Sequence, residues 1–178
     1  QRVPAEGGPR ILSLSRLSPE KGIDVLLDAF ARLREEYPQA HLEIAGSGDL
    51  GEELKAHAKR LNLGDSVTFS GFVNPIEAMG RSDMIVQLSV WENCSYTLLD
   101  AKAAGLKTVA TAVGGNPEIL NADELVDRQS PKLTEEVLQA MRRQLQKGDK
   151  EPFTWISNEQ MAAQTVDIYA RVLRGGRR

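Results

Sequence analysis

Two cations share one short stretch near the start of the chain, Arg16-Leu17-Ser18-Pro19-Glu20-Lys21-Gly22. A guanidinium forks onto phosphate oxygens and an ammonium acts as a point charge, so Arg16 and Lys21 together could neutralise a diphosphate. The plainer alternative is a pair of solvated surface charges. Further on, Trp91-Glu92-Asn93-Cys94-Ser95-Tyr96-Thr97 runs into Leu98-Leu99-Asp100. The pattern starts a helix there, and the first N–H groups of a helix have no partner within it. Around Ser95 to Thr97 they make a site for an anion. Glu92 lies in the loop and Asp100 in an early turn of the helix. An ionised aspartate only accepts hydrogen bonds, which suits a pair of vicinal hydroxyls. Equally, Asp100 complements the helix dipole. On the residues alone both readings stay open.

Glycines mark two further loops. Gly46-Ser47-Gly48-Asp49-Leu50-Gly51 fits the G-x-G-x-x-G pattern of dinucleotide-binding folds. That reading also calls for an acid about 20 residues on, to hold a ribose. The corresponding region, Ser70-Gly71-Phe72, has none, and the pattern follows the second strand rather than the first. A glycine-lined turn that gives a phosphate or sugar close backbone access fits better. Gly114-Gly115, ahead of Asn116-Pro117, is either a simple turn or another wall of the same cleft.

Composition removes several classes. The net charge of −3 and the pI near 5.5 argue against nucleic acid as the main partner. One cysteine, Cys94, and two histidines, His41 and His57, supply neither a disulfide framework nor a His/Cys metal cluster. The sequence has no apolar run long enough for a membrane helix, and Gln1 to Pro9 has no hydrophobic signal segment. These features predict a cytoplasmic domain with no transmembrane segment.

The elements that position these loops alternate. Apolar runs at Arg10–Ser15, His41–Ala45, Val67–Phe69, Met84–Leu88, Thr108–Thr111 and Glu124–Val126 predict about six strands. Ile23, Leu26, Leu27, Phe30 and Leu33 share one face of a helix that ends near Tyr37-Pro38. Helical patterns also cover Glu52–Leu61, a short stretch opened by Asn74-Pro75 with Glu77 as capping-box partner, and Leu98–Ala104 up to Gly105. A turn or two follows Asn116-Pro117. A helix introduced by Ser130-Pro131 carries Leu133, Val137, Leu138, Met141 and Leu145, and a loop runs from Gly148 to Trp155. A last helix begins at Ser157 with Gln160 as its box partner. The predicted fold is a doubly wound α/β domain, Rossmann-like, over residues 10–178, behind a Pro/Gly-rich tail at 1–9. Ligands of such sheets sit outside the carboxyl ends of the strands, where the loops above lie.

In order and spacing, six fragments resemble the family 4 glycosyltransferases. They are Arg16-Leu17 with Glu20-Lys21-Gly22, then Ile44-Ala45-Gly46-Ser47-Gly48, Phe69-Ser70-Gly71-Phe72-Val73, the Glu92 to Asp100 segment, Ala103-Ala104-Gly105, and Gly114-Gly115-Asn116-Pro117-Glu118. The resemblance runs from about Arg10 to Leu173. It implies a GT-B enzyme of two facing Rossmann-like domains, of which this is the C-terminal one that binds a nucleotide-sugar donor. Carried over by position, Arg16 and Lys21 hold the diphosphate and Glu92, as the catalytic carboxylate, faces the donor sugar. The backbone at Ser95, Tyr96 and Thr97 helps bind phosphate, and Asp100 holds the ribose diol. Gly46, Gly48, Phe72, Val73, Asn93, Gly114 and Gly115 complete the implied donor-binding set. The family retains anomeric configuration and generally needs no metal or other cofactor. The chain has no Asp-x-Asp motif, which agrees.

Three places depart from the family pattern. Asp100 stands where glutamate is usual, which withdraws the carboxylate by about 1.5 Å, one C–C bond. Asn93-Cys94-Ser95 replaces Gly-Phe-Gly, and Lys102 stands where an apolar residue is common. The family also places an acceptor-binding domain before this one. That domain is the partner the resemblance implies, with any peripheral membrane contact made through it. The competing reading from another class is a non-catalytic nucleotide-binding module of the same fold. An NAD(P)-binding domain is a third, disfavoured by the absent ribose acid.

Overall fold

The computed structural model describes residues 7–148 and 153–175. Six strands form one sheet: β1 (Arg10–Leu14), β2 (His41–Ala45), β3 (Val67–Gly71), β4 (Met84–Gln87), β5 (Lys107–Thr111) and β6 (Leu125–Val126). Their order is β3-β2-β1-β4-β5-β6, and every pairing is parallel. Parallel neighbours need a crossover. The helices supply it: α1 (Ile23–Glu36), α2 (Gly51–Arg60), α3 (Pro75–Gly80), α4 (Tyr96–Ala103) and α5 (Asn116–Ile119), while α6 (Leu133–Gln146) and α7 (Asn158–Gly175) follow β6.

Side chains alternate across a strand, so each strand feeds two cores. Ile11 joins Leu42, Ile44 and Val109 against Leu26, Phe30 and Leu33 of α1 and Val137 and Met141 of α6. Its neighbour Leu12 joins Ala45, Ile85 and Ala110 against Met79 of α3 and Leu98 and Ala101 of α4. Helices therefore cover both faces, the doubly wound α/β architecture that the alternation predicts. The chain builds outward from β1 to β3, then returns to place β4 on the other side of β1. The loops leaving β1 and β4 diverge there, and the crevice between them is where this topology binds ligands.

Several local details differ from the sequence reading. Asn74 caps α3 by accepting from the Ile76 N–H at 3.0 Å, but Glu77 closes no capping box there. Glu124 is not in a strand. It ends a 3-10 turn (Ala122–Glu124), where its carboxylate takes the Asn121 N–H at 2.9 Å. α6 starts behind Lys132, and Ser130 turns its hydroxyl to the Lys132 N–H and to Glu136 rather than capping the helix. The Ser157–Gln160 box before α7 does form, with both hydrogen bonds present. The apolar side of α7 is nevertheless exposed: Val166 is 66% and Leu173 74% accessible. Most of the expected tail (residues 1–6) and the middle of the expected 148–155 loop (149–152) lie outside the described residues.

Candidate functional site

The crevice at the sheet's switch point is built by backbones lying against one another. Leu17 donates its N–H to the Ser47 carbonyl at 3.0 Å, and the Leu50 N–H returns to the Leu17 carbonyl at 3.1 Å. This seats the loop after β1 directly on the loop after β2. Gly46 permits it: with φ +138°, a Cβ there would lie 1.8 Å from the Ser15 carbonyl oxygen. Gly48 is under similar constraint from the Leu17 carbonyl. On the other side of the crevice the loop after β5 lies on the loop after β4. The Gly115 N–H donates to the Asn93 carbonyl at 2.9 Å. Gly114 has φ +52°, and a Cβ on it would come within 1.5 Å of the Glu92 carbonyl oxygen. The glycines read from the sequence as access for a ligand thus have a packing reason of their own.

Lys21 and Glu92 meet across the crevice. Lys21 closes a 3-10 turn (Pro19–Lys21) after β1, and Glu92 lies in the loop after β4. Their Nζ and Oε1 atoms are 2.7 Å apart, and the side chains are only 17% and 18% exposed. Ser89, fully buried, accepts from Lys21 Nζ at 3.3 Å and donates to Glu92 Oε1 at 2.7 Å. Burial raises the Glu92 pKa, but the hydrogen bonds from Lys21 and Ser89 and the Lys21 charge outweigh it. The carboxyl is held below its ordinary value, ionised at neutral pH. An ammonium carries three N–H donors. Glu92 and Ser89 take two, which leaves Lys21 one donor for a further acceptor.

Arg16 lies at the rim, its side chain 75% exposed, 3.3 Å from Glu20. Ser18 donates to the same Glu20 carboxylate at 2.7 Å, and this bond is the main reason its pKa lies below the ordinary value. The Glu20 carbonyl accepts the Val90 N–H at 2.8 Å, which ties the two halves of the crevice together. The structure therefore brings Lys21 and Glu92 together, while Arg16 pairs with Glu20 at the rim.

The second cluster is the start of α4. Ser95 is its N-cap, buried, with φ −80° and ψ 95°. That extended backbone suits any residue, so serine in place of glycine does not strain the loop. The Ser95 hydroxyl accepts the Leu98 N–H at 3.3 Å. Tyr96 and Thr97, the first two helical residues, carry N–H groups that the helix itself cannot satisfy. The Tyr96 side chain is exposed. Asp100 is exposed too and lies beyond the first turn, which contains no acid. Dipole effects fade within that turn, so helix-dipole compensation explains Asp100 poorly. Phe72 and Val73 follow β3, the outer strand. Phe72 is 93% exposed, and Val73 packs on the second core.

Two functional-looking residues escaped the sequence reading, Gln87 and Ser89. Both are polar and buried at the carboxyl end of an otherwise apolar strand. That contrast in Met84-Ile85-Val86-Gln87-Leu88-Ser89 was the available signal. Among the described residues no group of three or more His, Cys, Asp and Glu side chains could hold a metal ion. Among them, too, no helix is long and apolar enough to cross a membrane.

Residues 1–159 match the family described as Glycosyl transferases group 1. The chain is 35% identical over 119 residues to the alpha-monoglucosyldiacylglycerol synthase of Streptococcus pneumoniae, an alignment covering 65% of this chain and 26% of that protein. It is 36% identical over 119 residues to the mannosylfructose-phosphate synthase of Agrobacterium fabrum, covering 61% and 26%. The chain thus spans about a quarter of the length of these relatives. Among solved structures, it resembles the C-terminal domain of the group 1 glycosyl transferase LpcC from Francisella tularensis. The TM-score is 0.69 at 24% identity, over 79% of this chain and 77% of that one. That likeness establishes the fold.

Proposed function

The chain belongs to the group 1 glycosyltransferases, and from that premise we propose that it is the donor-binding half of a retaining enzyme. The enzyme moves a sugar from a nucleoside diphosphate sugar to an acceptor held by sequence outside these residues. The observation that carries the reading is the Lys21–Glu92–Ser89 cluster at the switch point, with one Lys21 donor unspent. In this reading Lys21 and Arg16 bind the diphosphate as charges, and the Tyr96 and Thr97 N–H groups complete its cradle. Negative charge grows on the diphosphate as the bond from the anomeric carbon to its oxygen breaks. Groups already aimed at that oxygen stabilise the transition state without reorganising. The ionised Glu92 faces the positive charge that develops on the sugar, the acceptor hydroxyl oxygen bonds the anomeric carbon on the face the diphosphate leaves, and its proton passes to the departing diphosphate oxygen. Asp100 accepts the ribose hydroxyls. No metal or other cofactor is assigned a part.

The NAD(P) alternative finds less support. The G-x-G-x-x-G loop follows β2, one strand away from the switch point between β1 and β4. A dinucleotide fold uses the first strand's loop for that purpose.

Holding donor and acceptor in register supplies several kcal/mol or more of a transfer enzyme's rate. This chain provides the donor wall alone in the proposed scheme. Incubated with labelled nucleotide-sugars and an acceptor panel, it should bind donor, show no transfer and at most hydrolyse the donor slowly. Robust turnover by a purified monomer would refute the half-enzyme assignment.

A further inference from the structure

One peptide unit in the loop after β4 is held from both sides of the crevice. β4 pairs with β5 as far as Gln87, which lies opposite Ala110. The ladder therefore ends before Ser89, and the next link between the two strands is a side chain. Thr111, the last residue of β5 and fully buried, donates its hydroxyl to the Ser89 carbonyl at 2.6 Å. The N–H of the same peptide unit belongs to Val90, and it donates to the Glu20 carbonyl at 2.8 Å. A peptide is planar, so a bond at each end fixes the orientation of the whole unit. A continuous line of bonds thus runs from β5, through the Ser89–Val90 peptide, to the loop after β1.

The line reaches the charged pair at two points. The Glu20 carbonyl belongs to the peptide that opens Lys21. Ser89 carries the hydroxyl that accepts from Lys21 Nζ at 3.3 Å and donates to Glu92 Oε1 at 2.7 Å. Thr111 is itself anchored, because its carbonyl accepts from Nδ2 of the buried Asn116, at the start of α5, at 2.9 Å.

We infer that Thr111 is a positioning residue: its hydroxyl takes the place of a ladder bond beyond the end of β4, and by holding the Ser89–Val90 peptide it keeps the Ser89 hydroxyl between Lys21 and Glu92. The inference rests on the donor-binding reading for its consequence, and on the hydrogen bonds above for its geometry. Threonine suits the position because valine has the same shape but no proton to give. Valine would leave the Ser89 carbonyl without this donor, and the peptide would be fixed at the Glu20 end alone. A charged pair held in this way meets the phosphates already arranged, and less freedom is lost on binding.

The test compares Thr111→Val, Thr111→Ser, Ser89→Ala and the Thr111→Val/Ser89→Ala double variant with the unaltered chain. Each is titrated with UDP, GDP and ADP and melted thermally. Thr111→Val should weaken the best-binding nucleotide by about threefold to tenfold, the range of one lost hydrogen bond. Thr111→Ser, which keeps the hydroxyl, should stay within about twofold of the unaltered chain. A carbon-13 titration of the Glu92 carboxyl reads the positioning itself. Its midpoint should rise in Thr111→Val and in Ser89→Ala, because each weakens the Ser89 hydrogen bond to the ionised form. The two shifts should be less than additive in the double variant, since both act through the Ser89 hydroxyl. Should Thr111→Val fail to fold, Thr111→Cys, a weaker donor, should raise the midpoint in the same direction by less. An unmoved Glu92 midpoint, fully additive shifts, or a fall in melting temperature with affinity unchanged would each overturn the inference. If the unaltered chain binds none of the three nucleotides, the donor-binding reading fails, and the Glu92 titration still decides whether Thr111 acts on the charged pair.

Discussion

Replacing Lys21 with methionine keeps the aliphatic stem and deletes the ammonium. Two consequences follow from the geometry, and they can be separated. The first concerns affinity. A hydrogen bond to a charged group is worth about 1.5–3 kcal/mol, so nucleoside diphosphate binding should weaken by about 10- to 150-fold. The second concerns stability. Glu92, with its side chain 18% exposed, loses its cation while keeping its burial. Burial is the largest influence on that carboxyl and already pushes its pKa upward. The variant should therefore be less stable at neutral pH by about 1–3 kcal/mol, the cost of leaving a buried polar group unsatisfied. Adding Glu92→Gln to Lys21→Met removes the orphaned charge, so the double variant should regain stability without regaining affinity. Calorimetric titration at fixed salt and thermal unfolding measure the two quantities. Affinity within about twofold of the unaltered chain would return Lys21 to the status of a surface charge. Affinity recovered by Glu92→Gln would show that Lys21 acts through folding alone.

Asp100→Asn should weaken binding of a ribonucleotide while leaving its 2′,3′-dideoxy analogue nearly unaffected, as read by the same titration; equal losses would remove the ribose role. Gly114→Ala should destabilise the chain and weaken nucleotide binding, because the new methyl meets the Glu92 carbonyl. Gly105→Ala, at φ +73° with open space around it, should cost only the left-handed strain, about 1–2 kcal/mol, and leave binding intact. Lys102 Nζ lies 2.9 Å from Glu124, with side-chain exposures of 11% and 2%. Lys102→Met alone should cost about 3–5 kcal/mol by removing the cation beside that buried carboxylate, and Lys102→Met with Glu124→Leu should recover most of the loss. Burial is the largest influence on Glu124 and raises its pKa, yet the bonds from Thr108, the Asn121 N–H and Lys102 bring it below the ordinary 4.5. A depressed folded value means stability that is complete above the unfolded pKa and lost as pH falls toward the folded one. Acid melts should therefore steepen below about pH 4.5, and Glu124→Gln should make that slope shallower.

The sheet and its helices were legible because period and punctuation agree. Ile23 to Leu33 repeat at helical spacing and pack into one core, while Arg10 to Leu14 form the short apolar strand their composition suggests. Lys21 and Glu92 could be placed in loops at strand ends from the sequence, but their 2.7 Å contact could not. What stayed hidden depends on contacts distant in sequence. No local pattern reveals that Gly114 is pressed against the backbone of Glu92, or that Lys102 finds its counter-charge at Glu124. The missing Glu77 box and the displaced Ser130 show the opposite limit. Each motif was present, but Glu77 does not reach the Asn74 N–H, and the Ser130 hydroxyl bonds the Lys132 N–H and Glu136 instead. Gln87 and Ser89 were the most consequential omissions, since a polar residue ending an apolar strand gives no clue to what it will bond until the neighbouring loops are folded around it.

The claim that this domain binds a nucleotide-sugar donor is tested most directly by titrating the unaltered chain calorimetrically with UDP, GDP, ADP and NAD at one fixed ionic strength. One nucleoside diphosphate should bind at a single site with modest affinity. NAD should bind more weakly, and Lys21→Met should weaken the diphosphate by about tenfold or more. Binding of NAD in preference to every diphosphate, or no binding of any of the four, would contradict it.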